Sequence, residues 1–116
     1  MLIIYSVYLC IMDNRLRVLR RLDAIENLIE YRLDDYEDMI LSNNDSRFFR
    51  LCDENENYFY EVVSVWVIER MYYNHFSDVD DTSEEWSEIY HMMEKYIDTL
   101  YSKKIKDFFN DRCSRK

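Results

Sequence analysis

The sequence predicts an all-α protein: a single compact bundle of five to seven helices around a hydrophobic central helix, with one domain over residues 1–116. Three observations support this prediction. The chain contains no glycine and no proline, and the tight turns of β-hairpins depend mostly on glycine. Two segments carry apolar residues at helical spacing, and a third is apolar on almost every side. The length allows one hydrophobic core and leaves no room for a second domain.

The first predicted element is the apolar segment Leu2–Met12, which contains eleven residues and no charged side chain. It is shorter than the ~20 residues that a transmembrane helix needs. It also lacks the basic start and the small-residue cleavage site of a signal peptide. We therefore expect a core element that can also serve as an interface. Its composition is compatible with a helix or a strand over residues 2–11.

Asp13 and Asn14 then predict a helix N-cap. The apolar residues that follow recur every three or four positions, which is typical of one helix or of two that meet near Tyr31–Asp35. This stripe consists of Val18, Leu22, Ile25, Ile29, Leu33, Tyr36 and Ile40. The clearest turn is Asn43–Ser46, because asparagine enters the left-handed conformation that ends helices. A short helix over residues 46–52 is expected after it.

The segment Tyr58–Phe76 is apolar almost all round, which predicts a central helix surrounded by others. Its part Val62–Ile68 also has strand propensity, but we favour a helix because the only other strand-like segment is residues 2–11. Thr82 and Glu85 have the spacing of a capping box. A second stripe follows, formed by Trp86, Ile89, Met93, Ile97 and Leu100. A final helical extension or short helix would present Ile105, Phe108 and Phe109.

Charge and cysteine content exclude several classes of function. The net charge is −9, and residues 23–98 carry 21 acidic against 5 basic side chains. Such a surface repels phosphates, so we expect no nucleic-acid partner. The three cysteines show no C-x-x-C spacing, which argues against a zinc site or a disulfide framework and favours reduced thiols in the cytosol. We expect no metal and no cofactor.

One pair of residues could support chemistry. Arg70 and His75 have the Arg-x-x-x-x-His spacing near the end of the central helix, which resembles the motif of HEPN ribonucleases. In that family an arginine would stabilise the charge that develops on an RNA phosphodiester, and a histidine would transfer a proton without a metal. Met71 stands where the family usually has a polar residue. A HEPN-type ribonuclease, or an inactive relative, is therefore the alternative prediction.

The C-terminal half has a second likeness. The central helix Val62–Tyr73 ends in an aromatic pair, and an acidic, hydroxyl-rich connection leads to Trp86. Residues Met92–Leu100 then carry the pattern Met-x-Glu-x-Tyr-x-Asp-x-Leu. In these features the chain resembles the compact Bcl-2-like proteins of poxviruses, in particular their short acidic virulence-factor branch. Asn74 and His75 stand where that family often has glycine.

This resemblance implies a Bcl-2-like bundle that is not an enzyme. It implies a protein in the host cytoplasm that inhibits innate immune signalling or apoptosis by binding host signalling or pro-apoptotic proteins. An amphipathic host helix would enter a groove whose walls are expected around residues 18–40 and 58–73. A homodimer through the first element is the other expected use of this surface. The candidate partner or dimer residues are Tyr5, Tyr8, Val18, Leu22, Ile25, Tyr58 and Tyr72.

Overall fold

The computed structural model describes residues 13–41 and 55–113, and almost all of these residues are helical. A helical segment over residues 13–19, here named α1, comes first. It is followed by α2 (Leu22–Leu41), α3 (Glu56–His75), α4 (Glu84–Phe108) and a π-helical turn over Phe109–Cys113. The described ranges contain no strand, so the prediction of an all-α fold is confirmed for them.

Several predicted elements lie outside the described residues: the first element over residues 2–11, the turn Asn43–Ser46 and the short helix over residues 46–52. Residues 13–41 and 55–113 form four α-helical segments, so the total of five to seven helices stays a prediction. Among the described helices, none is long and apolar enough to span a bilayer.

Helix α3 lies against α2 and runs antiparallel to it. The ring of Tyr31 stacks on Trp66 with a centroid distance of 6.2 Å. Five residues later along α2, Tyr36 packs on Phe59, which lies near the start of α3, at 5.6 Å. Residues later in α2 therefore meet residues earlier in α3, which shows that the two helices are antiparallel.

Helix α4 packs on α3 with the same antiparallel sense. The ring of Tyr72 meets Trp86 at 4.8 Å, and Phe59 stacks on Phe108 at 6.0 Å. The central part of the core between the three long helices is formed by Ile25, Ile29, Leu33, Val63, Val67, Met71, Ile89, Met93 and Ile97. Burial of these apolar side chains is the main driving force for the assembly of the three helices.

The apolar stripe of α2 faces this core, as its spacing predicts. Val18 of α1 and Ile25, Ile29, Leu33 and Tyr36 of α2 are all buried. The helix continues without interruption through Tyr31–Asp35, so the chain does not use the break that the sequence leaves open there. The burial of Ile40 lies outside the described side chains.

The interruption lies earlier, at Arg20–Arg21, between α1 and α2. There the Arg21 N–H donates to the Val18 carbonyl oxygen at 3.0 Å, a contact between residues i and i+3 that is tighter than an α-helical turn. Asp13 and Asn14 are already helical. Since an N-cap residue lies outside the helical backbone, the prediction that they cap this helix is wrong.

An arginine fixes α1 at the C-terminal end of α3. The Arg17 Nη2 atom donates to Asp78 Oδ1 at 2.8 Å and to the His75 carbonyl oxygen at 3.3 Å. Its guanidinium carbon lies 4.8 Å from the centre of the Phe76 ring. A charged hydrogen bond, a backbone contact and a cation–π contact therefore hold the start of the described chain next to the end of α3.

Helix α3 begins after Asn55, whose side-chain oxygen accepts a hydrogen bond from the Tyr58 N–H at 2.6 Å. The structure confirms the helix but not its complete enclosure by other helices. In the described chain α2 and α4 cover one side of α3, whereas Tyr58, Glu61, Glu69 and Tyr73 on the other sides are exposed. Two neighbouring helices are too few to bury a helix that is apolar almost all round.

The N-cap of α4 is Ser83, not Thr82. The Ser83 Oγ accepts a hydrogen bond from the Trp86 N–H at 3.2 Å. Thr82 is held in the preceding loop, where its N–H and hydroxyl donate to Asp80 Oδ1 at 2.9 and 2.8 Å. The third helical residue is therefore Trp86 rather than Glu85, and its side chain has no carboxylate to complete a capping box.

The stripe of α4 is confirmed up to Ile97 and wrong at Leu100, whose exposed fraction is 52%. After Ile97, the residues that face the core are Tyr101 and Ile105, at successive intervals of four. Tyr101 is half-buried and Ile105 is buried. Leu100 lies to one side of this row. The predicted C-terminal extension is present, because Ile105 and Phe109 belong to the core.

The identity of the α4 cap can be tested by matched substitutions. Ser83→Ala should lower the free energy of unfolding by ~1 kcal/mol, because it removes the acceptor of the Trp86 N–H. Thr82→Ala should lower it less, because the Thr82 N–H keeps its hydrogen bond to Asp80. Urea unfolding followed by circular dichroism measures both values. A larger loss for Thr82→Ala than for Ser83→Ala would contradict the assignment.

Candidate functional site

An open groove of about 720 Å³ lies between α2 and the C-terminal half of α4. We call it the acidic groove. Three features define it: an apolar floor, two lysines and a surplus of carboxylates. Its lining residues are Glu30, Leu33, Asp34 and Glu37 from α2, Leu100, Lys103, Lys104, Asp107 and Phe108 from α4, and Asp111 from the π-helical turn.

The floor of the acidic groove continues the hydrophobic core to the surface. Leu33 is buried, Phe108 is half-buried and Leu100 is exposed. Phe108 also stacks on Phe59, so its ring is fixed from below. Leu100 exposes apolar surface to solvent, and a binding partner could bury this surface.

The charges of the groove are partly paired. Lys103 Nζ lies 2.7 Å from Asp107 Oδ2, and Lys104 Nζ lies 2.6 Å from Glu30 Oε1. The hydrogen bond to Asp107 raises the pKa of Lys103, with a further contribution from the charge of Asp111. The groove holds five carboxylates and two lysines, so its net charge at neutral pH is negative.

The groove that the sequence predicts, between residues 18–40 and 58–73, is closed in this structure. Ile25, Ile29 and Leu33 of α2 are buried against the inner side of α3, and Val63 and Val67 of α3 meet them in one cluster. The two helices therefore contact each other directly along the predicted cleft. The open groove involves the predicted wall α2 but has α4 as its second wall.

The predicted surface residues are distributed over several environments. Val18 and Ile25 are fully buried and Leu22 packs against the core, so in this structure these three side chains stabilise the fold. Tyr58 is exposed, whereas Tyr72 is half-buried and donates its hydroxyl to the Val79 carbonyl oxygen at 2.9 Å. Tyr5 and Tyr8 lie outside the described residues. The structure therefore does not bring the five described residues together on one surface.

A second crevice separates α3 from the middle of α4. There the Tyr60 hydroxyl donates to Asp98 Oδ1 at 3.3 Å. Burial raises the pKa of Tyr60 to about 12, and the negative charges of Asp98 and Glu94 add to the rise. The phenol therefore remains protonated and acts as a hydrogen-bond donor, which links the two helices.

Arg70 and His75 have different neighbours. The Arg70 guanidinium carbon lies 5.3 Å from the centre of the Trp66 ring. His75 lies near Arg21, and burial, followed by the positive charge of Arg21, lowers its pKa. Positions five residues apart are ~140° apart around an α-helix, and no contact among the described residues joins the two side chains. The ribonuclease alternative stays a prediction.

The acidic loop after α3 consists of residues with separate structural roles. Asp78 binds Arg17, and this hydrogen bond holds the pKa of Asp78 below its ordinary value. Asp80 accepts from the backbone and hydroxyl of Thr82, which lowers its pKa as well. In residues 13–41 and 55–113 no group of three or more histidine, cysteine or carboxylate side chains is placed to hold a metal.

Comparison of the chain with protein-family models, with curated proteins and with solved structures gives no match in any of the three.

The sequence contains one indication of the acidic groove, which is that charged residues lie on the same side of α4 as Leu100. Lys103, Lys104 and Asp107 follow Leu100 at positions i+3, i+4 and i+7, which lie on the same side of a helix. A leucine that shares its helix face with three charged residues is expected to be exposed. The partner wall on α2 could not be found in this way, because pairing of helices is not visible in local spacing.

The environment of His75 predicts its titration. In the folded chain the pKa of His75 should lie below the ordinary 6.5. The unfolded chain then binds the proton more readily, so the free energy of unfolding is highest above pH 6.5 and decreases as the pH falls through the folded pKa. Arg21→Gln should raise the pKa by removing the second cause. NMR of the imidazole Cε1–H signal measures this, with His91→Gln to assign the other histidine. An unchanged pKa in Arg21→Gln would contradict the charge contribution.

Proposed function

We propose that this chain is a non-enzymatic protein–protein interaction module whose acidic groove receives an amphipathic helix with lysine or arginine on its polar side. The observation that carries the proposal is the exposure of Leu100, 52%, in a groove that is lined by an excess of carboxylates. The apolar floor would contact the apolar row of such a helix, and the carboxylates around the floor would attract the basic residues that flank this row.

The size and shape of the acidic groove support a helix as its occupant. The groove follows the line between two helices, α2 and α4, and the apolar side chains that its floor exposes, Leu100 and Phe108, come from α4. A helix that lies in such a groove inserts apolar residues at positions i, i+3, i+4 and i+7. Its basic residues would then be near Asp34 and Asp111, two of the five carboxylates that line the groove.

The kind of partner that we propose follows from the resemblance to poxvirus Bcl-2-like proteins. That resemblance supports host signalling or pro-apoptotic proteins as partners, inhibition of innate immune signalling or apoptosis as the result, and the host cytoplasm as the place. It also supports a Bcl-2-like arrangement with helices beyond those described, and a homodimer. The acidic groove is the surface on which such a partner helix would bind.

The proposal predicts binding of a model peptide. The probe is a fluorescein-labelled amphipathic peptide of leucine and lysine, ~18 residues long, which forms several helical turns. Its anisotropy should rise on addition of the protein. Leu100→Glu should weaken binding at least ~10-fold, because it removes apolar contact area and adds a like charge to the groove. Raising the salt concentration from ~50 to ~300 mM should also weaken binding.

Two controls make this test specific. Leu16→Glu alters another exposed leucine, with an exposed fraction of 43%, on α1 and outside the groove, and it should leave the affinity unchanged. A peptide with glutamate in place of lysine should not bind. Equal losses in Leu16→Glu and Leu100→Glu, or equal binding of the two peptides, would overturn the proposed site.

A further inference from the structure

The two sides of α1 have opposite character. Asn14 and Val18 are buried and Arg17 is ion-paired, so this side is held against the body of the protein. The other side is exposed, and we call it the basic face. It consists of Arg15, Leu16, Leu19 and Arg20. Arg20 belongs to this face because its N–H donates to the Leu16 carbonyl oxygen at 2.9 Å, as in a continuing helical turn.

The basic face and the acidic groove are complementary in charge. Residues 13–21 carry four arginines and one aspartate, whereas the groove is lined by five carboxylates and two lysines. Within residues 13–41 and 55–113, Arg15 and Arg20 form no ion pair, and neither do Asp34 and Asp111 of the groove. Each surface therefore presents charges that the described chain leaves available to an oppositely charged surface.

The exposed leucines lie on the same two surfaces. In the part of the chain that the structure describes, three leucines are exposed: Leu16 (43%) and Leu19 (37%) on the basic face, and Leu100 (52%) in the acidic groove. Leu16 and Leu19 have the i, i+3 spacing of the apolar anchors by which a helix binds a groove. Arg15 precedes them and Arg20 follows. The basic face thus has both features of the helix that the acidic groove is proposed to receive.

The two surfaces of one chain are too far apart to meet. The Arg17 guanidinium carbon lies 4.8 Å from the centre of the Phe76 ring, and that ring lies 6.4 Å from the Trp86 ring, near the start of α4. Leu100 follows Trp86 by fourteen residues along the same helix, which is ~21 Å at the rise of an α-helix. The α1 that reaches the groove must therefore belong to another chain.

We propose that the acidic groove binds the basic face of a second copy of this chain. The contact depends on the proposed function of the groove and names one occupant of it. Because two different surfaces meet, the contact is heterologous, and each copy in a pair keeps one surface available for a further copy. Open chains of copies or closed rings form in this way, in contrast to the expected homodimer through the first element.

In this contact Leu16 and Leu19 cover the exposed side chain of Leu100 and remove apolar surface from water. The arginines of the basic face lie near the groove carboxylates, with which a guanidinium forms strong hydrogen bonds. Two leucines and two arginines make a small contact area, so the association is weak and reversible, like other small interfaces. Salt weakens it further, since the charges are exposed.

Sedimentation velocity of two variants and of their mixture tests the proposal. Leu16→Glu alters the basic face and keeps the groove, whereas Leu100→Glu alters the groove and keeps the basic face. Each variant alone should self-associate at least ~10-fold more weakly than the wild-type chain, because the glutamate removes apolar contact and adds a repulsive charge. An equimolar mixture should form a 1:1 complex and nothing larger, because one intact face meets one intact groove.

Two further variants control the test. Tyr73→Glu places the same charge at an exposed side chain of α3 outside both surfaces, and it should associate like the wild-type chain. Arg20→Glu alters the basic face by charge alone and should weaken association as well, which provides a second variant if Leu16→Glu fails to fold. Circular dichroism checks that each variant keeps its helices.

A 1:1 complex that forms only in the mixture supports the proposal. A wild-type chain that stays monomeric at every concentration tested, a mixture that sediments like its separate components, or an association that Tyr73→Glu weakens as much as Leu16→Glu overturns it.

The labelled peptide separates this proposal from the proposed function. If the peptide binds the groove but copies of the chain do not associate, the proposed function stands and the association between copies fails. If neither the peptide nor a second copy binds, both fail. The peptide is titrated below the protein concentration at which copies associate, so that the groove is empty and Leu16→Glu remains a valid control there.

Discussion

Burial of the inner side of α3 between α2 and α4 is the interaction on which the rest of the structure depends. Phe59 lies at one end of this interface, and its ring meets Tyr36 at 5.6 Å, Phe108 at 6.0 Å and Phe109 at 5.4 Å. One side chain thus joins α2, α4 and the π-helical turn. Because Phe108 also lines the acidic groove, the floor of the groove is held by the same contact that closes the core.

Because the chain contains no glycine, its helices begin and end at other residue types. Asn55 and Ser83 cap their helices with ordinary extended backbones, at φ values of −180° and −84°, so neither position needs a left-handed conformation. Between them, the loop after α3 is ordered by Asp80, whose carboxylate binds Thr82 and whose carbonyl oxygen accepts from Ser83 Oγ. Asparagine and serine are usual N-cap residues, and α3 ends at Phe76 with a φ of −128°, outside the left-handed region in which helices often use glycine.

Much of the fold could be predicted from the sequence, because burial repeats with the period of a helix. That signal located α2, α3 and most of α4. The prediction was wrong at Leu100, because spacing alone does not show which side of a helical turn meets a neighbour. It was also wrong at Thr82, because spacing does not show that the Thr82 hydroxyl is already bound to the Asp80 carboxylate. The site was less predictable, since a groove between α2 and α4 depends on how helices pair. Arg70 and His75 show the same limit: they are close in sequence, yet they have different neighbours.

The charges of the acidic groove have a role that its apolar floor cannot fill. Exposed carboxylates that outnumber the lysines raise the rate at which a basic partner arrives, whereas buried apolar area slows its departure. The pairs Lys103–Asp107 and Lys104–Glu30 contribute little to stability at such exposed positions. They do orient two rim carboxylates without cancelling the negative charge of the groove. In the proposed function, a partner helix without basic residues would gain the contact with Leu100 but not the electrostatic attraction on approach. The carboxylates of the groove would therefore favour basic amphipathic helices over neutral or acidic ones.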